Sequence, residues 1–278
     1  MTDSAPDLVI RDDGAIRTME LGPERTRNAL SMATRFALAE RLTEADRDPS
    51  VRAIVITGSG DSFCSGADIA EVPRGHSAAE AYRYMTEASQ VVSRALAGLR
   101  TPTIARVSGV AAGAGMFLAL GCDVVVASTD ARFIPSQLRL GLPPDWSGLW
   151  ILPRLVGRAK AKAILFRSDP VTAEEAAAIG MIAECVPAAR LDEVVGDYCE
   201  RLIALPPLAV SLVKDGLDRN AAASLPEFEA WEASAIGLAI TSEEYERKVA
   251  DFLAGRGRRT ADAPDDVQGT TKTTTRKR

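Results

Sequence analysis

The chain has 278 residues, of which 46% are apolar and 26% charged, with a formal net charge of −5; that is enough to bury a sizeable core as one large domain or a domain and a half. The acidic balance, the lack of a basic stripe with interleaved aromatics and the lack of an apolar run of membrane-spanning length argue against nucleic-acid and membrane partners. One histidine excludes multi-histidine metal sites and leaves a Ser–His–Asp or Cys–His nucleophile only His76, in a polar loop, while four cysteines (Cys64, Cys122, Cys185, Cys199) without metal-like spacing read as free thiols of a cytoplasmic protein.

The N-terminal stretch MTDSAPDLVIRDDG is acidic and lacks the layout of a signal peptide. Leu8–Arg11 and Ala15–Leu21 flank Asp12-Asp13-Gly14 and predict a hairpin. A basic loop, Pro23 to Leu30 (PERTRNAL), leads into a predicted helix from Met32 to Arg47 with Ser31 as its cap. Residues 51–69, VRAIVITGSGDSFCSGADI, predict a buried strand (Ala53–Thr57), a Gly/Ser loop and the small-residue turn Ser65-Gly66-Ala67-Asp68. Ala78–Leu99 predicts one long amphipathic helix.

Residues 102–128, PTIARVSGVAAGAGMFLALGCDVVVAS, repeat the strand-then-turn plan. They predict a strand (Thr103–Val107), a turn (Ser108–Gly115), a short helix (Met116–Gly121) and a strand (Val124–Ala127). A short segment, Asp130–Phe133, and a Gly- and Pro-rich loop running through Gly141 to Arg154 follow. Helical segments are predicted at 158–167, 173–180, 190–204, 207–222, 226–240 and 243–254, with Thr172/Glu175 and Thr241/Glu244 as capping boxes. A strand-rich first half and a helix-only second half imply an α/β core with a helical appendage. The low-apolar tail from Gly255, ending TTKTTTRKR, is predicted to be disordered. Gly113-Ala114-Gly115 does not open a dinucleotide fingerprint, because Leu118 stands where its third glycine would be.

The two turns carry the chemistry. Glycine at 109, 113 and 115 with alanine at 111, 112 and 114 lets the backbone approach a ligand and leaves helix-start N–H groups free for an anion. Taken alone, the same composition also fits a tightly packed strand–helix crossing. A second unit ending in Ser65-Gly66-Ala67-Asp68 supplies another donor, and two preorganised N–H groups on one carbonyl oxygen stabilise an enolate or tetrahedral oxyanion, each by about 2.7–4 kcal/mol.

FCSGADI followed by SGVAAGAGMFLALGCDVVVAS resembles the crotonase (enoyl-CoA hydratase/isomerase) superfamily, a similarity that runs from Asn28-Ala29-Leu30 to the C-terminal helices. The resemblance implies a ββα spiral core (residues 1–200), a C-terminal helical region that drives trimerisation (201–255) and a tail (256–278). It also implies an acyl-CoA substrate, with the N–H groups of Ala67 and Ala114 as the oxyanion hole. Arg25 and Arg27 would meet the coenzyme A phosphates, though a solvated loop is an equal reading of that segment. Ala29, Ser65, Asp68, Ile69, Phe117, Gln137 and Trp146 would join them in lining the substrate and coenzyme A site. Phe252 and the basic residues after it would touch coenzyme A across a subunit contact, in a trimer or dimer of trimers. Asp68 and Asp123 also read as scaffold residues that recur in the family whatever the reaction. No metal or redox cofactor is implied; coenzyme A arrives with the substrate.

Hydratases of this superfamily hold a water between two glutamates, and the matching positions here are Phe117 and Gln137. Neither side chain is a useful proton carrier near neutral pH. The remaining candidate is Asp145, in Leu142-Pro143-Pro144-Asp145-Trp146, with Trp146 and Trp150 as a possible apolar wall. Asp145 also suits a helix N-cap, and one residue can do both. GLPPDWSGLWILPRLVGRAKA is similar to the segment of aspartate-using enoyl-CoA isomerases, which implies a double-bond isomerase with Asp145 as proton shuttle. Two alternatives stay open: an enoyl-CoA hydratase with atypical acid/base groups, and a non-catalytic acyl-CoA-binding subunit.

Overall fold

The computed structural model describes residues 7–72, 75–220 and 223–261. They fall into two compact units, Met1–Ala222 and Ala223–Arg278. In chain order the first unit contains β1 (Leu8–Asp13), β2 (Ile16–Leu21), α1 (Met32–Arg47), β3 (Ala53–Gly58), α2 (Ala78–Tyr84), α3 (Val91–Gly98), β4 (Thr103–Val107) and β5 (Val110–Ala112). It continues with α4 (Ala114–Leu120), β6 (Val124–Ser128), β7 (Arg132–Ile134), α5 (Gly148–Arg167), β8 (Val171–Thr172), α6 (Ala173–Ala178), β9 (Glu184–Val186), α7 (Leu191–Ala204) and α8 (Pro207–Asn220).

Six strands form the main sheet in the order β1-β2-β3-β4-β6-β9, all neighbours parallel except the β1/β2 hairpin. A second sheet, β5-β7-β8, carries the small-residue turn. With helices wound around them, the two sheets make the mixed α/β spiral that the resemblance implies. Every residue of β3 is buried, as expected of a parallel strand covered on both faces. Its side chains alternate accordingly. Ile54 and Ile56 enter the larger core with Leu38 and Leu42 of α1 and Phe117 of α4, while Ala53 and Val55 face Leu191, Val194 and Val195 of α7.

The local caps follow the sequence closely. Ser31 Oγ accepts the Thr34 N–H at 3.1 Å, and Thr172 Oγ1 accepts the Glu175 N–H at 3.1 Å, one half of the expected capping box. Other expectations are corrected. The single helix expected over 78–99 is α2 and α3 joined by a π-helical segment, Met85–Ser89. The loop expected to run to Arg154 turns helical at Gly148, and α5 is interrupted at Gly157, whose φ is +76°. Helix α7 runs across residue 200 and covers the second face of the sheet, and the first unit extends to residue 222.

In the second unit α9 (Leu225–Ile240) and α10 (Glu243–Ala261) pack on each other. Thr241 closes α9 and its hydroxyl donates to Leu238 O; Ser242, not Thr241, takes the capping bond, from the Tyr245 N–H at 3.2 Å. Helical backbone continues to Ala261, past the start of the expected tail, and residues 262–278 of that tail lie outside the described residues. No helix among the described residues is long and apolar enough to cross a membrane.

Candidate active site

The two small-residue turns are laced together. The Cys64 N–H donates to Val110 O and the Ala112 N–H donates to Cys64 O, both at 2.9 Å, so Cys64 forms a single parallel bridge with Ala111 of β5. Glycines make the approach possible. Gly66 has φ +107°, and a Cβ there would stand 2.8 Å from Ala112 O and 3.4 Å from Ala114 N. A Cβ on Gly115 would meet Cys64 O at 2.4 Å.

Leu30 brackets Ala67 from the other side. Its N–H donates to Gly66 O (2.8 Å) and its carbonyl accepts the Asp68 N–H (3.1 Å), which turns the Ala67 N–H away from Leu30. Ala114 begins α4, where an N–H has no intrahelical acceptor. Among the described residues neither the Ala67 nor the Ala114 N–H donates to a protein group. The two turns are therefore in contact, and each keeps one N–H without a protein acceptor among the described residues.

The loop before α1 is pinned at Asn28, which is fully buried with φ +57°. Its Nδ2 faces Ser62 O (2.7 Å), Ser59 O (2.9 Å) and Phe63 O (3.3 Å), and its Oδ1 accepts from Ser59 Oγ (2.8 Å). Ser65 ties the same loop to the Ser65-Gly66-Ala67-Asp68 turn, donating from N to Arg27 O and from Oγ to Thr26 O. Arg25 and Arg27 are exposed on this loop and Ala29 is half-buried. Asp68 caps the short Ile69–Glu71 turn through the Ala70 N–H at 2.9 Å, a scaffold role, and Ile69 is exposed. Asp123 is likewise structural: its Oδ2 accepts from the Thr103 N–H and hydroxyl and from Lys214 Nζ.

Asp145 is half-buried, and each carboxylate oxygen has a donor. Ser89 Oγ donates to Oδ2 at 3.1 Å, and Gln137 Nε2 to Oδ1 at 3.4 Å. Gln137 is itself buried, with Nε2 3.8 Å from where a Cβ on Gly113 would stand. Gln137 thus sits between the carboxylate and the turn that presents Ala114. The N-cap role open to Asp145 is not taken by its side chain: Ser147 occupies that position, and only the Asp145 carbonyl bonds the helix, accepting the Gly148 N–H at 2.8 Å. Trp146 and Ser147 both have left-handed φ (+51° and +60°), a strained pair directly after Asp145.

The wall expected of two tryptophans is made differently. Trp146 is buried, but Trp150 is 49% exposed and stacks under the Arg154 guanidinium at 3.8 Å. Phe117 is buried and its ring lies on Gly148, so α5 closes over the position at which a hydratase glutamate was expected. Cys64, just before the Ser65–Asp68 turn, is fully buried, and burial pushes its thiol up to about 12, which disfavours the reactive thiolate. His76 is exposed beside Glu80, remote from this chemistry in its contacts. Among the described residues no group of three or more His, Cys, Asp or Glu side chains is arranged to hold a metal. The sequence reading missed Ser89, Tyr84 and Arg35; no local pattern distinguishes them, and only packing brings them to the site.

The family model for enoyl-CoA hydratase/isomerase matches residues 11–257. The chain is 32% identical over 250 residues to a crotonyl-CoA hydratase of Syntrophomonas wolfei, covering 90% of this chain and 95% of that one. It is also 32% identical over 243 residues to a 1,2-epoxyphenylacetyl-CoA isomerase of Escherichia coli, covering 87% and 93%. The crystal structure of an enoyl-CoA hydratase of Mycobacterium smegmatis superposes with a TM-score of 0.84 at 31% identity, covering 90% of this chain and 97% of that one.

Proposed function

The chain belongs to the enoyl-CoA hydratase/isomerase family, and from that premise we propose that it is an enoyl-CoA double-bond isomerase in which Asp145 carries the proton. The thioester carbonyl accepts hydrogen bonds from the Ala67 and Ala114 N–H groups. Asp145 removes a proton from C2 of a 3-enoyl-CoA, and the electron pair passes into the thioester oxygen to give a dienolate. The two N–H donors hold the developing charge, which is where such donors act most strongly. The same carboxyl returns the proton to C4; the carbonyl re-forms and the double bond lies between C2 and C3. No second acid or base is needed, and no metal or redox cofactor enters the step.

One observation carries this reading: the residues at the two hydratase positions cannot transfer a proton. Phe117 packs its ring on Gly148, and Gln137, an amide, turns its Nε2 to Asp145. Arg25 and Arg27, exposed on the loop pinned by Asn28, are placed in this reading at the coenzyme A phosphates. Exposed Leu225, Ile236, Leu238 and Ile240 on α9 support assembly into trimers through the second unit, which sedimentation velocity measures.

The test is a paired assay of wild type and Asp145→Asn. Conversion of a 3-enoyl-CoA to the conjugated 2-enoyl form should collapse in the variant, with little water added to a 2-enoyl-CoA by either protein. The rival reading, hydration, is favoured by the names of relatives such as the crotonyl-CoA hydratase; rapid hydration that survives Asp145→Asn would establish it and exclude the single-carboxylate mechanism.

A further inference from the structure

We propose that Ser89 is the positioning residue for Asp145, and that the π-helical segment Met85–Ser89 serves to hold this serine against the carboxylate. The inference rests on the role of Asp145 given above. Ser89 is buried (2% exposed), and its hydroxyl donates to Asp145 Oδ2 at 3.1 Å across 56 residues of sequence. Gln137 approaches the other oxygen. A carboxylate gripped at both oxygens cannot turn about its own axis, so the lone pair that takes the proton keeps one direction. Removing either donor restores rotation, and small misplacements of a reacting group are costly in rate.

The π segment explains how a serine from this helix reaches the site. In an α-helix, residues five apart stand about 140° from each other around the axis. The wider π turn bonds residue i to i+5, as Gln90 N–H does to Met85 O at 3.1 Å, and so brings residues five apart towards one face. Tyr84 and Ser89 are such a pair. Tyr84 OH accepts from Arg35 Nη1 at 2.8 Å, and Arg35 Nε donates to Leu30 O at 3.1 Å. Leu30 is the residue whose N–H and carbonyl bracket Ala67. One short segment therefore grips both halves of the chemistry: the oxyanion turn through Tyr84, Arg35 and Leu30, and the proton carrier through Ser89. Arg35 is fully buried, and none of its hydrogen bonds goes to a carboxylate among the described residues.

The experiment compares Ser89→Ala, Ser89→Thr and Asp145→Asn on a 3-enoyl-CoA, with a second run on substrate deuterated at C2. Ser89→Ala is expected to lower kcat by about 10- to 100-fold with KM changed by less than about two-fold, the pattern of a lost interaction that matters only in the transition state. The share of deuterium carried from C2 to C4 should fall, because a loosened carboxyl exchanges with solvent before it returns its proton. Ser89→Thr keeps the hydroxyl and should recover most of both. Thermal melting of each variant separates misfolding from misplacement. Wild-type kcat and deuterium carry-over in Ser89→Ala, with Asp145→Asn inactive, would overturn the Ser89 assignment alone. Equal impairment of Ser89→Ala and Ser89→Thr, with deuterium carry-over unchanged, would reduce Ser89 to a packing residue and overturn it too. Activity that survives Asp145→Asn would overturn the proposed function, and the assignment with it.

Discussion

The ring of Phe117 lies against Gly148 so closely that a Cβ at position 148 would stand 2.7 Å from two of its carbons and 2.8 Å from a third. The first turn of α5 is thereby locked to α4, the helix that presents Ala114. In the reading proposed above, the contact also fills with hydrocarbon the position matched to a hydratase carboxylate.

Gly148→Ala should therefore cost about 1–3 kcal/mol through overpacking. The same change in a Phe117→Leu background should cost less, because the shorter side chain gives way. Denaturation midpoints of the two single variants and the double variant measure the coupling. Strict additivity would mean that the two residues do not meet in solution.

Gly66→Ala tests the oxyanion turn. At φ +107° and 2.8 Å from Ala112 O, a methyl group cannot enter without moving the Ala67 or Ala114 N–H. Turnover should fall by roughly 100- to 1000-fold, the scale of one lost oxyanion donor. Gly98→Ala, where nothing lies within 4 Å, is the control; it should leave turnover intact and gain up to about 1 kcal/mol of stability.

Asn28→Ala should destabilise the fold by about 2–4 kcal/mol. The change strands buried carbonyls of Ser62 and Phe63 and gives up a residue type that tolerates a left-handed backbone. Thermal melting reads the loss. A melting point within a degree or two of wild type would show that the loop holds without its clip.

The thiols give a pH dependence. Burial pushes Cys64 and Cys122 up to about 12 and Cys199 up to about 11, while half-buried Cys185 is raised by burial without a like barrier to access. At neutral pH a thiol reagent should label native protein at Cys185 first. In the unfolded chain these groups ionise near their ordinary value of about 8.5. Their contribution to stability is therefore whole below that value and is lost as pH rises towards about 11 to 12. Urea midpoints should fall across that window, and Cys122→Ala should flatten the fall.

Much of the fold was legible locally. The Ser31 and Thr172 caps, the fully buried run of β3 and the limits of β4 depend on side chains within a turn or on alternation along a strand, which a sequence displays directly. Where two neighbours compete, as Thr241 and Ser242 do, local chemistry does not choose; the end of α9 did. The reading of 141–154 as loop failed for a different reason. Proline and glycine there argue against a helix, yet burial of Trp146 and Leu152 and the Phe117–Gly148 contact hold α5 from its first turn.

The sequence by itself displays the two Gly/Ala turns and shows that Phe117 and Gln137 are not proton carriers, because residue type alone says what can donate, accept or carry a proton; that these two stand at the hydratase positions, and that Asp145 is the carboxylate to test, is what the family resemblance implies. Tertiary structure alone decided how closely the two turns approach each other, that α5 seals Phe117, and that Ser89 rather than a helix cap holds Asp145. Those relations join residues tens of positions apart, and their geometry follows from strand register, from one π turn and from the packing of helices on a sheet, none of which leaves a local trace.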